Sequence, residues 1–333
     1  MKDKILTISI AAYNVEKFIE KTIESLLVED ILADIEVFIV DDGGKDNTVA
    51  IASKYENKYP DTFKIIKKEN AGYGSTVNYS IRHATGRYFK LLDGDDWFDK
   101  DGLKRLVNLL KTIEADIVVA EFKKHIPNKT LDGIKFDKSM YNKCISLKDF
   151  KYYNGIQMHA TTFKTSILRE SNTILSEHIF YTDNEFVAYP LKKAKNIYIS
   201  DITVYQYRIG QINQTLDINV QMKHIDVLKD MSYRLSRFYV ECKKEKIDAV
   251  DYLCSRVAAS AVDAFAVLVR KKASKLNKKE LIDFDKKIFE ISPDVFRRMG
   301  KLKRKNSIII KLLRMTNYYT YGIVSKLLWK VHS

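Results

Sequence analysis

Apolar positions in the first 120 residues fall into two alternating kinds of run. Ile5-Leu6-Thr7-Ile8-Ser9-Ile10-Ala11 is short, β-branched and mostly apolar; after Tyr13-Asn14, Phe18, Ile19, Ile23, Leu26 and Leu27 recur at helical spacing. This predicts a strand, a loop and an amphipathic helix. The pattern repeats: Ile35 to Val40 reads as a buried strand ending in Asp41-Asp42-Gly43-Gly44, and Asp46 or Asn47 suits the cap of a helix over 48–59. Strands over 63–66, 88–92 and 116–121 and helices over 75–83 and 102–114 continue the series. Alternation with short connections predicts an α/β domain whose mostly parallel sheet is flanked by helices.

The alternation fades after about Lys123. Residues 124–160 are rich in Lys, Tyr and Asn with weak periodicity, and read as irregular or hairpin structure. Ile197 to Tyr207 reads as one more strand, and beyond Val220 only helical spacing is left. A domain over 1–216 and a helical C-terminal region over 217–333 are the expectation. With 46% hydrophobic residues the chain is an ordinary globular one. Three cysteines without a paired spacing indicate neither a zinc site nor a disulfide framework. No signal-peptide core follows Met1, and no apolar run approaches the roughly 20 residues that span a bilayer. A cytoplasmic setting is expected.

Each strand of this series ends in polar groups: Tyr13, Asp41 and Asp42, Asn70, and Asp93-Gly94-Asp95-Asp96. In open α/β sheets ligands bind beyond the carboxyl ends of the strands. Three carboxylates in four residues repel one another, so a cation bound there would settle the turn; the other reading is a solvated turn in which Asp96 caps the next helix. Gly94 fits a close approach of a ligand to the backbone.

The order of these blocks resembles that of family 2 glycosyltransferases of GT-A fold, of the bacterial surface-polysaccharide type. Ile10-Ala11-Ala12-Tyr13-Asn14 resembles the opening PxYN block, with Ala11 and Ala12 in place of its usual pair; Val40-Asp41-Asp42-Gly43-Gly44-Lys45-Asp46-Asn47-Thr48 resembles VDDGSxDxT. Asn70-Ala71-Gly72 opens an NxGxxxxxN-like block closed by Asn78, and Leu92-Asp93-Gly94-Asp95-Asp96 is similar to the LDxDD form of the DxD motif.

The resemblance implies a donor half over about 1–122 and an acceptor half over about 123–216. On it, Ala11, Tyr13, Asp41, Asp42, Asn70, Gly72, Asp93, Gly94, Asp95 and Arg208 serve the donor. Tyr13 stacks on the base and Asp42 accepts the uracil N3–H, with Asp41 beside it. Mn²⁺ or Mg²⁺ is held by Asp95 first; Asp93 is a second ligand or contacts the ribose, and Asp96 stays open in either role. Asp183, opening a helix after Thr182, is the base that deprotonates the acceptor, and Glu185 is its alternative. Arg208, in the loop 205–215, faces the diphosphate. The absence of a QxxRW signature favours addition of a single sugar.

The implied activity is inverting, metal-dependent transfer from a UDP-sugar to a glycan or lipid-linked glycan in capsule, teichoic acid or other surface-polysaccharide assembly. A catalytically silent nucleotide- or sugar-binding scaffold of the same fold, or a GT-A nucleotidyltransferase, is the alternative.

Charge adds one feature. The formal charge is +14, and from Val295 to Ser333 the chain holds ten Lys or Arg and no Asp or Glu, interleaved with Ile, Leu, Tyr and Trp. This suits an interfacial helix on the cytoplasmic face of a membrane, or packing on the enzyme or on another subunit, so oligomerisation stays open. No nucleic-acid-binding module accompanies the tail, and nucleic acid is not an expected partner.

Overall fold

The structure, a computed structural model, describes residues 3–152, 154–210 and 217–330. It divides into two compact units, residues 1–147 with 156–212 and residues 148–155 with 213–333. The segment 148–155 lies inside the stretch expected to be one α/β domain, yet it belongs with the helices. Phe150 packs edge-on against Tyr252 at 5.0 Å, and Lys148 and Lys151 pair with Asp248 and Asp251.

The α/β unit begins with β1 (Leu6–Ala12), α1 (Ile19–Glu24), β2 (Ile35–Asp41), α2 (Thr48–Lys58), β3 (Phe63–Lys67), α3 (Tyr73–His83) and β4 (Tyr88–Asp93). It continues through β5 (Trp97–Phe98), α4 (Lys100–Thr112), β6 (Ile117–Ile126), β7 (Lys129–Asp132), β8 (Lys143–Ser146), β9 (Thr161–Lys164), α5 (Thr165–Glu170), α6 (Asp183–Ala188) and β10 (Asn196–Arg208). The strands form a single sheet in the order β3-β2-β1-β4-β9-β6-β10-β5, with β7 on β6 and β8 on β10.

The first four strands pair in parallel, as the alternation predicts. The sheet as a whole is mixed rather than mostly parallel. β9 enters between β4 and β6 antiparallel to both, and β7, β8 and β5 add antiparallel pairs. β7 and β8 arise from the weakly periodic stretch 124–160 and β9 directly follows it, without the helical crossovers that keep strands parallel. Leu6, Ile8 and Ile10 of β1 and Ile35, Val37 and Ile39 of β2 are buried, which fixes the register. That register sets Ala12 beside Asp41 and Ala11 beside Asp93, so the acidic ends of β2 and β4 flank the end of β1. Helix α4 is capped by Asp99, whose carboxylate accepts from Gly102 N at 2.8 Å. Asp96 is therefore not the cap.

The second unit comprises α7 (Ile218–Lys223), α8 (Ile225–Lys244), α9 (Val250–Arg270), α10 (Lys275–Ile291), α11 (Pro293–Met299), α12 (Lys305–Met315) and α13 (Tyr321–Lys330). Helix α9 corrects one expectation, because it is 21 residues long and apolar enough to cross a bilayer by length and composition. It is instead the core of this unit: 94% of its apolar stretch is buried, and α8, α10, α11, α12 and α13 all pack on it. A helix apolar on all sides is buried either in lipid or in protein, and small residues such as Ala258, Ala259, Ala261 and Ala264 let neighbours close in here. Helix α12 is fastened by Arg314, which pairs with the buried Asp285 and lies 3.4 Å from the Phe296 ring centre.

Candidate active site

The loop after β1 leaves Tyr13 52% exposed, with Asn14 in the left-handed region at φ 54°. The Tyr13 ring meets no other ring among the described residues and is open to stacking. Ala11 contributes through its backbone, its carbonyl accepting from Gly94 N at 3.2 Å.

At the end of β2 the two carboxylates do different work. Asp42 is buried and engaged: it accepts from Lys68 Nζ at 2.7 Å, Ala71 N at 3.0 Å and Gly72 N at 2.8 Å, with Ser75 Oγ at 3.3 Å. It anchors the loop opening α3 instead of presenting its oxygens outward. Asp41 accepts from Gly44 N at 3.1 Å, which leaves acceptor capacity on its carboxylate. The adjacency of the pair in sequence gave no way to tell them apart.

Asn70 and Gly72 are also structural. Asn70 Nδ2 donates to the carbonyl of Asp42 at 2.8 Å. Gly72, at φ 84°, sits where a Cβ would come within 3.0 Å of His178 N. Asn78 completes the clamp by bonding both backbone groups of Leu175, at 2.8 and 2.9 Å. The block thus ties the start of α3 to the segment leading into α6. Gly94 has a similar cause, since a Cβ there would lie 2.8 Å from the Ala11 carbonyl and 3.0 Å from Val15 Cγ2. Protein, not a ligand, fills that space.

The acidic turn is largely withdrawn from water. Asp96 is buried, its carboxylate accepting from Tyr205 Oη and Arg208 N, both at 2.7 Å. Tyr205 Oη in turn accepts from Asp93 N at 3.1 Å, and Tyr73 donates to Asp93 Oδ1 at 3.0 Å. Burial first, then the charges of neighbouring aspartates, pushes Asp93 and Asp96 well above the ordinary carboxylate range. Burial also raises Asp95, against which the Arg208 charge works. Tyr73 and Tyr205 are pushed far up by burial and the same carboxylates, so both stay protonated as donors.

Arg208 Nε donates to the Asp95 carbonyl at 2.9 Å, and its guanidinium lies 4.9 Å from the ring centres of both Phe18 and Trp97. Antiparallel pairing of Gln206 with Trp97 brings β10 to this place. Residues 211–215 of the expected closing loop lie outside the described residues. Lys21 sits over Trp97 at 3.4 Å, and burial, then Arg208, lowers its pKa. This second cation follows from α1, where nothing in the sequence distinguishes it from a surface lysine.

Asp183 is the first residue of α6 and half-buried. Its charge raises the pKa of Asp93, Tyr73 and Tyr207, so it shares their surroundings. Glu185 is fully buried and taken up by Ser176 N at 2.7 Å, Ser176 Oγ at 2.9 Å and Tyr189 Oη at 3.1 Å. That carboxylate is a structural acceptor.

The residues present fit a divalent cation. Carboxylate oxygens of Asp93 and Asp96 and a ring nitrogen of His159 lie within 4.8 Å of one another, and His159 Nδ1 is buried with no hydrogen-bond partner among the described residues. Burial, then Lys90 and Lys124, lowers the His159 pKa to about 3, which keeps the ring neutral as a ligand must be. Its ring lies 5.3 Å from Phe122 and 4.1 Å from Tyr207. Beneath it Lys90 donates to the carbonyls of His159 and Thr161 at 2.8 and 3.3 Å, its own pKa lowered to about 7 by burial.

The family model described as Glycosyl transferase family 2 matches residues 7–180, more than half of the chain. The chain belongs to this family. As a glycosyltransferase it is 25% identical over 227 residues to an uncharacterized glycosyltransferase of Rickettsia typhi, covering 67% of this chain and 70% of that one. It is 27% identical over 219 residues to the poly(ribitol-phosphate) beta-glucosyltransferase of Bacillus spizizenii, covering 64% of this chain and 33% of the relative. The match thus spans about a third of that enzyme's length. The structure of S. aureus TarS 1–349 in complex with UDP superposes with a TM-score of 0.66 at 18% identity, over 97% of this chain and 90% of that one. A UDP-GlcNAc complex of the same TarS segment superposes equally well. The fold is thus the GT-A type that the motif order implies, in a family 2 glycosyltransferase.

Proposed function

We propose that this transferase moves one sugar from a UDP-sugar to a hydroxyl of a glycan or polyol-phosphate polymer, with inversion and with a divalent cation at the acidic turn. The observation carrying this is the cluster at the strand ends, where Tyr73 donates to Asp93 and Tyr205 to Asp96, and where the charge of Asp183 also acts on Tyr73. The names of the Bacillus spizizenii relative and of the TarS complexes support the acceptor class and the donor.

In this reading Tyr13 stacks on the uracil and Asp41, rather than Asp42, accepts its N3–H, because Asp42 is committed to Lys68 and the 71–72 backbone. Asp93 and Asp95 would hold Mn²⁺ or Mg²⁺, with the Asp96 carboxylate and the His159 ring, which lie close to Asp93, available to it as well. When bound, the cation neutralises the diphosphate as the sugar leaves. Arg208 and Lys21 add positive charge beside it. Asp183 takes the proton of the acceptor hydroxyl while that oxygen bonds to the anomeric carbon and the bond to the diphosphate breaks on the opposite face.

A screen of nucleotide sugars by release of free nucleotide, with and without Mn²⁺, tests the proposal. A UDP-sugar should be turned over faster than any other and only with metal. Turnover equal in EDTA, or confined to another nucleotide, would refute the corresponding part.

A further inference from the structure

The last two helices of the second unit leave an apolar stripe uncovered. In α12, Ile310 and Leu313 are buried while Ile308, Leu312 and Met315 are exposed. At about 100° per residue the three exposed side chains centre on one line of the helix, and Lys305 and Lys311 fall about 60° to either side of it. In α13, Tyr321 and Ser325 are buried, and Ile323 and Leu327 are exposed with Lys326 beside them. Tyr319, between the helices, stands out as well, with Lys278 Nζ 5.6 Å from its ring centre. Exposure along this series runs from 45% at Leu312 to 83% at Tyr319, well beyond what scattered surface apolar residues require of an explanation.

We infer that this stripe docks the protein on an anionic lipid bilayer. A helix that shows apolar residues along one line, with lysines on both flanks, lies in the plane of the headgroups: the apolar side chains enter the acyl boundary and the ammonium groups reach anionic headgroups. Charge chooses lipid over a second copy of the chain. Lys301, Lys303, Lys305, Lys311 and Lys326 are exposed and have no carboxylate partner among the described residues, and the whole stretch from Val295 onward lacks Asp and Glu. A two-fold interface would set this patch against itself, cation facing cation. The inference does not depend on the donor or acceptor proposed above.

Flotation of the full chain on vesicles of phosphatidylcholine alone, and of phosphatidylcholine mixed with phosphatidylglycerol, provides the test. Binding should be confined to the phosphatidylglycerol vesicles, weaken as salt is raised, and disappear in the combined variant I308E/L312E/I323E/L327E. Removing lysines by K305S/K311S should weaken it about fivefold per lysine. All four apolar targets are exposed, and circular dichroism with thermal melting verifies that each variant is folded. Failure of the wild-type chain to float on anionic vesicles overturns the inference, as does flotation unchanged in the four-glutamate variant. So does a dimer in sedimentation velocity that those glutamates dissolve, because the stripe would then be covered by a second copy.

Discussion

The end of β4 gathers carboxylates into the protein, whereas α12 and α13 set apolar side chains and lysines outside it. Both arrangements cost free energy as they stand, the first through buried like charges and the second through apolar surface in water. A small cation would relieve the first cost, and an extended amphipathic surface would relieve the second. The difference shows how a functional site and a docking surface are told apart: one is a point whose polar atoms converge, the other a line whose side chains share no hydrogen-bonded partner.

The sharpest way to break this comparison is at the base. Asp183→Asn should lower kcat by about 10²- to 10⁴-fold while calorimetry finds UDP affinity nearly unchanged; full transfer by this variant would remove Asp183 from the reaction. Next in size, Asp93→Asn should weaken metal-dependent UDP binding by about 10- to 100-fold. Asp95→Ala set against His159→Phe then locates the cation: a larger loss with Asp95 places it on the open side, and a larger loss with His159 places it on the buried side.

The exchange of roles at β2 predicts a smaller, divided effect. Asp41→Asn should weaken UDP binding about tenfold with little change in melting temperature, and Asp42→Ala should instead cost about 1–3 kcal/mol of stability by stranding the Ala71 and Gly72 amides. Equal behaviour of the two variants in both assays would contradict the assignment.

A pH series sharpens the electrostatic half of the comparison. Because the folded-state pKa values of Asp93 and Asp96 lie above their unfolded ones, the metal-free protein binds more protons than the unfolded chain, and stability is lost as pH rises from about 4 upward. Mn²⁺ competes with those protons. The gain in melting temperature on adding Mn²⁺ should therefore be larger at pH 8 than at pH 5, and a gain that shrinks with pH would exclude these carboxylates as its source. The smallest effect belongs to the tail: I308E/L312E should alter turnover of a soluble acceptor less than about twofold, because exposed positions contribute within about ±0.5 kcal/mol.

Much of this was legible before any fold was known. The strands of the first 120 residues could be read because each is a short apolar run closed by polar residues, and the side-chain period then fixes which face is buried. Asp93-Gly94-Asp95-Asp96 announced itself by composition alone. By contrast the bond from Tyr205 to Asp96, 109 residues away, and the approach of His159, in the short turn before β9, to Asp93 and Asp96 could not be read from any local stretch. Glu185 and Asp183 are two residues apart and chemically alike, and only the donors that Ser176 and Tyr189 bring to Glu185 show that carboxylate to be a committed acceptor.

The sequence by itself therefore determined the β–α order, the gathering of acidic groups at strand ends and the uneven charge of the tail, all of which depend on neighbours a few residues away. Tertiary structure alone decided that Asp42 anchors the loop opening α3, that Gly94 yields to a carbonyl of β1, and that the apolar helix α9 is sheathed by protein. Those outcomes depend on which distant groups arrive within hydrogen-bonding or van der Waals distance, and pairing across a folded chain is not encoded in any local window.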